Sequence, residues 1–270
     1  MYQYARSSNQ YTFRSDSALS NDQIAYYTPS VVTDSAHESR KDSYKFISTL
    51  NVIDSMRKEG FEPYEVRQTR TRLLGRRNHT RHMVRLRHAD AYSNGSEVPE
   101  IILLNSHDGT SSYQLLSGFF RFVCSNGLIA GNIHNDIRIR HSGNVIDQVI
   151  EGSYRVLSEV EAGLSRIDRF KSITLNEGQK LTFADQAITL RWGERSPIKD
   201  PAELLSIHRH SDRKDDLWTV FNTVQENLMR GGLNGRSFNG RRVTTRAING
   251  VNENVRINRG LWDLADKLAA

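Results

Sequence analysis

The spacing of apolar positions divides the chain into a sheet-forming first half and a helical second half. Near the start, Ser20-Asn21-Asp22-Gln23 has the capping-box spacing, with Ser20 as N-cap and Gln23 reaching back to it. It predicts a short helix through Tyr27 that stops before Pro29, after a polar, aromatic arm of about 15 residues. Residues 30–43 read as loop. Over 49–59, Leu50, Ile53 and Met56 share one helical face, and Gly60 stands where a left-handed cap is wanted. Beyond Pro63 the period changes. Residues 64–73 are rich in Val, Thr and Tyr, and 82–88 alternate, with Val84 and Leu86 on one side and Met83, Arg85 and Arg87 on the other. With Gly75-Arg76-Arg77-Asn78 as the turn, this predicts an antiparallel hairpin with an arginine-rich face and tip. A turn at Ser93-Asn94-Gly95 and an apolar run over 100–106 add a third, buried strand.

Asp108-Gly109 marks another turn. The apolar segment 115–125 fits helix or strand; a helix from about Ser117 is favoured, because Asn126-Gly127 suits a helix C-terminus. Strand-like pieces follow over 128–140. Val145, Val149, Val156, Val160, Leu164 and Ile167 then trace one long amphipathic helix with some drift. Further helices are predicted over 175–192 (capped by Asn176), from Asp200-Pro201-Ala202-Glu203, over 215–229 and over 254–268, with a glycine-broken basic loop over 231–246. The fold class is α+β: an antiparallel sheet with an arginine-rich hairpin, flanking helices and a mainly helical C-terminal half. Residues 1–270 read either as one continuous domain or as a sheet core (16–141) and a helical part (145–270) meeting near Ser142-Gly143-Asn144.

Composition constrains what such a chain can do. Its 270 residues can bury a substantial core. No apolar run approaches the ~20 residues of a membrane helix, and the N-terminus has no secretory h-region, so a soluble, cytoplasmic protein is expected. One cysteine, Cys124, excludes an internal disulfide. The 29 Arg against 8 Lys favour a side chain that binds phosphate bidentately and stacks on flat rings. They are also clustered. Residues 61–90 hold eight Arg against Glu62, Glu65 and Asp90, a charge of +5; residues 230–250 hold five Arg and no acid, also +5. The net charge is +6, so the remainder carries −4. Two basic patches on a mildly acidic body are the footprint of a polyanion binder.

The candidate nucleic-acid contacts are therefore Arg67, Arg70, Arg72, Arg76, Arg77, Arg81, Arg85 and Arg87 in the hairpin, and Arg236, Arg241, Arg242 and Arg246 in the later loop, with Phe238 as a stacking ring. Ser106-His107-Asp108 imitates a triad, but neighbours on a strand point to opposite faces; Asn105, His107 and Asp108 are kept as a candidate functional turn. Cys124 lies in an apolar segment and reads as a small buried hydrophobe. The nine histidines show no metal-ligand spacing and no phosphate loop is present, so neither a catalytic residue, nor a metal, nor a cofactor is assigned.

The run 99–113 (Pro-Glu-Ile-Ile-Leu-Leu-Asn-Ser-His-Asp-Gly-Thr-Ser-Ser-Tyr), continuing into 119–128, resembles the hallmark of a prophage- and plasmid-borne enterobacterial family of unknown function, the YfjQ/YafZ-like proteins. His37-Glu38-Ser39-Arg40, Glu59-Gly60-Phe61, Asp216-Leu217-Trp218, Gln225-Glu226-Asn227, Gly231-Gly232 and Thr244-Thr245-Arg246-Ala247-Ile248 extend the likeness over nearly the whole chain. It implies a mobile-element setting and no activity. The order helix, arginine-rich hairpin, third strand, helix is also similar to the core of phage single-strand annealing proteins (RecT, Erf and Red beta), which implies sequence-independent binding of single-stranded DNA and assembly into a homo-oligomeric ring or filament. A metal-dependent nuclease or anti-restriction factor, and a module that binds a host protein, are the alternatives.

Overall fold

The computed structural model describes residues 11–40, 44–89, 97–121, 126–129, 137–139, 144–158 and 160–270. The Ser93-Asn94-Gly95 turn, Cys124 and Ser142-Gly143 lie outside these residues, as do residues 1–10 of the expected arm. The architecture is mixed α and β. In chain order the elements are β1 (Thr12–Arg14), α1 (Asn21–Tyr27), α2 (Pro29–Val32), α3 (Thr49–Lys58), β2 (Phe61–Gln68), β3 (His82–His88), β4 (Glu97–Asn105), β5 (Tyr113–Arg121), β6 (Asn126–Ile129), β7 (Ile137–Ile139), α4 (Val145–Ser158), α5 (Val160–Ser172), α6 (Glu177–Trp192), α7 (Leu217–Arg230), β8 (Asn234–Arg236), β9 (Arg242–Thr244) and α8 (Val251–Ala269). The main sheet runs β1-β2-β3-β4-β5-β6, with β7 also on β5; β8 and β9 form a separate ribbon.

The chain folds as two compact units. The first holds Met1–Asn94, Val98–Ser117 and Asn135–Leu157; the second holds Gly95–Glu97, Gly118–His134 and Ser158–Ala270. The chain passes between them five times, the last passage falling at 157/158, because α4 sends Val145, Val149 and Val156 into the first core. That core joins Ile24 of α1, Val52 and Met56 of α3, Val66 of β2, Val84 and Leu86 of β3 and Ile101 and Leu103 of β4. Ser20 caps α1 as its sequence requires: its hydroxyl accepts from Gln23 N–H (3.2 Å) and the Gln23 side chain accepts from Ser20 N–H (2.9 Å). In β2, Pro63 sits at a shift of register against β3, where a missing donor costs no ladder bond.

In the second unit α7 is the central element, with twelve of its residues buried. Asp216 caps it, and Trp218, Phe221 and Trp262 of α8 pack at centroid distances of 5.5–5.9 Å. The Trp218 indole N–H donates to Glu97 Oε1 (2.7 Å), which satisfies the ring's polar edge inside the core. Asn176 caps α6 with a second capping box.

Several expectations are corrected. Residues 12–14 of the expected arm form β1, which pairs with β2. Helix α2 occupies part of the expected 30–43 loop. The first hairpin strand spans Phe61–Gln68 instead of 64–73, and its turn is a 3-10 helix, Leu74–His79. The expected helix from Ser117 is β5, and Asn126 and Gly127 pair with Arg121 and Phe120 as part of β6. The reason is burial on both sides: Leu115 and Phe119 enter the cores, while Leu116 and Phe120 on the opposite pleat are buried too, and such a run has no period to read. The expected long helix is α4 and α5, on either side of residue 159, which lies outside the described residues; the drift of its stripe reflects service to two different cores. The basic loop contains β8 and β9.

Gly231 fixes where that ribbon begins. It has φ +67°, and a Cβ there would lie 2.5 Å from the Arg246 carbonyl carbon and 2.7 Å from Ala247 N. Gly231→Ala is expected to lower stability by about 3 kcal/mol, adding backbone displacement to left-handed strain. Gly240→Ala, at φ +75° with open space around it, is expected to cost only about 1 kcal/mol. Urea unfolding of both variants checks the difference.

Candidate nucleic-acid interface

The structure separates the candidate arginines by their carboxylate neighbours. In the first unit, Arg85 is 1% exposed; its Nη1 donates to Glu100 Oε2 (2.7 Å) and its Nε lies 3.6 Å from Glu65. Arg87 donates to Glu100 Oε1 (3.0 Å), and its guanidinium lies 4.3 Å from the Tyr64 ring centroid. Arg67 donates to Glu65 Oε1 (3.0 Å), and Arg14 of β1 holds the other oxygen of that carboxylate. Register explains the cluster: Glu65 stands opposite Arg85 on β3 and opposite Arg14 on β1. The alternation of β3 is as predicted, but the arginine face is inside the protein. Arg85 and Arg87 are therefore not presented to a nucleic acid, which corrects their place among the candidate contacts, and Arg67 is engaged with Glu65. Burial raises the Glu65 carboxyl, but Arg14, Arg67 and Arg85 outweigh it and hold the group well below the usual carboxylate range.

The loop 69–81 carries the other five arginines of this patch. Arg70, Arg72 and Arg76 are exposed, while Arg77 and Arg81 are half-buried. The guanidinium groups of Arg70 and Arg77 lie 5.5 and 5.3 Å from the Tyr11 ring centroid. The loop is fastened at its base. Thr69 N–H donates to Arg81 O (2.8 Å), Thr80 Oγ1 to Thr69 O (3.0 Å), and the Gln68 amide to Arg77 O (2.6 Å).

In the second unit, the ribbon β8–β9 and its turn present Arg236, Arg241 and Arg242, with Arg246 beyond the buried Thr245; all four are exposed, and Phe238 is 94% exposed. None of these four arginines forms an ion pair among the described residues. Arg236 and Arg242 are register partners, so two like charges face each other across the ribbon. The turn between them is closed by Ser237 N–H to Arg241 O (2.8 Å) and Gly240 N–H to Ser237 O (2.9 Å). The ribbon is docked through Arg236 N–H to Pro197 O (2.8 Å); Gly235 lies against that carbonyl, where a Cβ would be only 2.5 Å away. An open cleft of about 530 Å³ is lined by Asn234, Gly235, Arg236, Arg242, Val243 and Thr244.

Asn105, His107 and Asp108 lie in the first unit, and each has a structural assignment. Asn105 Nδ2 donates to Thr49 Oγ1 (3.0 Å), around which His82 Nε2 (2.9 Å), His107 Nε2 (3.3 Å) and Tyr113 OH (3.3 Å) also gather. All five residues are fully buried. The His82 Nδ1 faces the Thr80 carbonyl (3.2 Å), which only accepts; in the neutral ring Nε2 is then the acceptor of the Thr49 hydroxyl proton. Burial pushes the Tyr113 phenol up. Ser106 Oγ accepts from Ser111 N–H (2.8 Å), and Asp108 Oδ1 accepts from Thr110 N–H (3.0 Å), so Ser106-His107-Asp108 closes a turn and does not align as a triad. Close by, Tyr44 OH donates to Ser106 O (3.2 Å), and burial, then Asp108, push its pKa up to about 12. Sequence reading did not bring Thr49, His82 and Tyr113 together, because they lie far apart in the chain. Among the described residues no three His, Cys, Asp or Glu side chains group to hold a metal ion, and no helix is long and apolar enough to cross a membrane.

Comparison with known proteins gives a family without an activity. The profile of a domain of unknown function, DUF932, matches residues 36–262. Two proteins of Escherichia coli strain K12, UPF0380 protein YafZ and UPF0380 protein YfjQ, are each 44% identical to this chain over 255 residues, covering 94% of it and 93% of the relative. No solved structure matches.

Glu65 and Glu100 provide the test of the internal assignment. Glu100→Gln is expected to destabilise the protein by about 3 kcal/mol, because it leaves guanidinium charge uncompensated in the interior. A carboxylate whose folded pKa is depressed contributes stability above its unfolded pKa and loses it as pH falls towards the folded value. Stability is therefore expected to drop from about pH 5 downward, and Glu65→Gln is expected to start lower at pH 7 and fall less steeply. Urea midpoints at pH 7, 5 and 3 read both effects.

Proposed function

The chain belongs to the DUF932 family, whose description assigns no reaction, and we propose that it binds single-stranded nucleic acid through the β8–β9 ribbon. One observation carries this reading: Arg236 and Arg242 oppose each other in register beside a Phe238 ring that is 94% exposed. Like charges directly across a ribbon are destabilising, and a lone exposed ring gains nothing from solvent. A polyanion reverses both terms. Phosphates enter between the guanidinium groups, and a base stacks on the ring. This combination tolerates any sequence, since every base offers a π-face and every nucleotide a phosphate. The ribbon's hydrogen bonds to Pro197 and within its turn are made before any ligand arrives, so little conformational freedom is lost on binding. Annealing of complementary strands, for a chain of mobile-element type, is the activity that such sequence-tolerant binding would serve.

A fluorescently labelled oligonucleotide tests this reading. With four phosphates neutralised, affinity for a single strand is expected to fall about 50-fold between 50 and 200 mM salt. Phe238→Ala is expected to weaken binding by about tenfold or more while the salt slope stays constant. Arg236→Glu with Arg242→Glu should remove most of the binding and flatten the slope. Both sites are exposed, so thermal unfolding of the variants should match the parent protein. Binding that ignores salt and these substitutions, or no binding at all, would overturn the proposal.

A further inference from the structure

The loop 69–81 has a feature that phosphate binding does not use. At its tip Leu73 is 59% exposed and Leu74 86% exposed, immediately flanked by exposed Arg72 and, beyond Gly75, exposed Arg76. These leucines are not on a frayed segment. Leu73 N–H donates to Thr71 Oγ1 (3.1 Å), Arg76 N–H donates to Leu73 O (3.0 Å), and the loop base is tied through Gln68, whose side-chain oxygen accepts from Ser30 N–H (2.9 Å). The fold thus holds two large aliphatic side chains out into water on a stapled turn.

We infer that Leu73 and Leu74 form an apolar wedge that enters a base step of duplex DNA while Arg72 and Arg76 hold the flanking phosphates. The inference rests on the reading of this chain as a nucleic-acid binder, and adds duplex DNA, locally unstacked, as a second kind of substrate. Size and charge choose this occupant. A stable protein partner needs about 800 Å² of contact on each side, far more than the point of a six-residue 3-10 turn offers. A membrane anchor needs more apolar material than two side chains, since even a whole myristoyl chain binds only marginally. A narrow aliphatic point between guanidinium groups matches what proteins insert between base pairs, where unstacking is offset by contacts to the bent backbone. The loop 69–81 contains five arginines and no acid, so the duplex meets no repelling charge there.

The test uses the full chain and a duplex of about 30 base pairs with 2-aminopurine at a flexible TA step, the step most easily unstacked. Wild-type protein is expected to raise the probe's fluorescence about threefold, as an unstacked base reports. Leu73→Ser with Leu74→Ser should abolish that rise, while duplex affinity falls less than tenfold and the salt dependence persists. Arg72→Glu with Arg76→Glu should remove duplex binding. Phe238→Ala should leave the duplex signal intact while lowering single-strand affinity, which separates failure of the wedge from failure of the ribbon. Retention of the fluorescence rise in the double-leucine variant overturns the wedge. So does a protein that binds single strands through the ribbon but leaves the duplex probe stacked, and one that binds no nucleic acid overturns both readings. Leucine-dependent binding to phosphatidylserine vesicles with no duplex signal would overturn the wedge and assign the tip to a membrane surface.

Discussion

The carboxylates of Glu65 and Glu100 decide which arginines of the first unit meet water. A guanidinium cannot be buried without a compensating charge, because its desolvation costs several kcal/mol. These two side chains supply that charge from the middle of neighbouring strands, and the register of β1, β2 and β3 brings Arg14, Arg67, Arg85 and Arg87 to them. The sheet can therefore bury the face of β3 that carries Arg85 and Arg87. Without them, β3 would have to present that face to solvent, and the helices that pack on its other side would cover only half of a two-sided sheet.

The second unit solves a different problem, which is to leave charge uncompensated in a defined place. The ribbon β8–β9 is too short to be stable alone. Its position comes from what lies at its base: the left-handed Gly231 after α7, the Gly232 N–H donated to Thr245 O (2.9 Å), the Leu233 N–H donated to Thr245 Oγ1 (3.0 Å), and the Pro197 carbonyl beneath Gly235. Thr245 and Leu233 are buried, while the residues beyond them are not. The anchor is thus internal and the charged end external. This division lets Arg236 and Arg242 stay opposed although they repel, since a few tenths of a kcal/mol of repulsion cannot undo the hydrogen bonds at the base.

What the sequence made legible were features decided within a few residues. The Ser20 and Asn176 capping boxes and the Asp108-Gly109 turn each depend on side chains that reach their own neighbours, and the alternation of β3 on the pleat of the strand itself. What it hid were features decided by distant partners. Alternation places Arg85 and Arg87 on one face of β3 but does not say whether that face meets water; Glu100, 13 and 15 positions away, does. Leu115 and Phe119 on one pleat and Leu116 and Phe120 on the other are all buried, so neither period survives. Thr49 gathers His82, Asn105, His107 and Tyr113 from 33 to 64 positions away, and no local pattern marks it. The exposure of Phe238 and of Arg236, Arg241 and Arg242 follows from their place beyond the buried Leu233 and Thr245.

Pairing of Arg67, Arg85 and Arg87 with Glu65 and Glu100 concentrates the first basic patch instead of removing it. Residues 61–90 carry +5 as eight arginines less three acids, spread over 30 positions. Withdrawing those three arginines leaves five, all within 69–81, where there is no acid, so the same +5 falls on 13 positions. That concentration of charge in one loop is the kind of local field that draws a polyanion. A field of that kind does not select a sequence; selection by shape falls to whatever apolar group stands within it. Leu73 and Leu74 stand there in the first unit, and Phe238 stands in the corresponding place on the ribbon. In the proposed roles, an aliphatic point and a flat ring, each set among arginines, divide the states of a nucleic acid between them: the point a stacked duplex that must be opened, the ring a strand whose bases are already free.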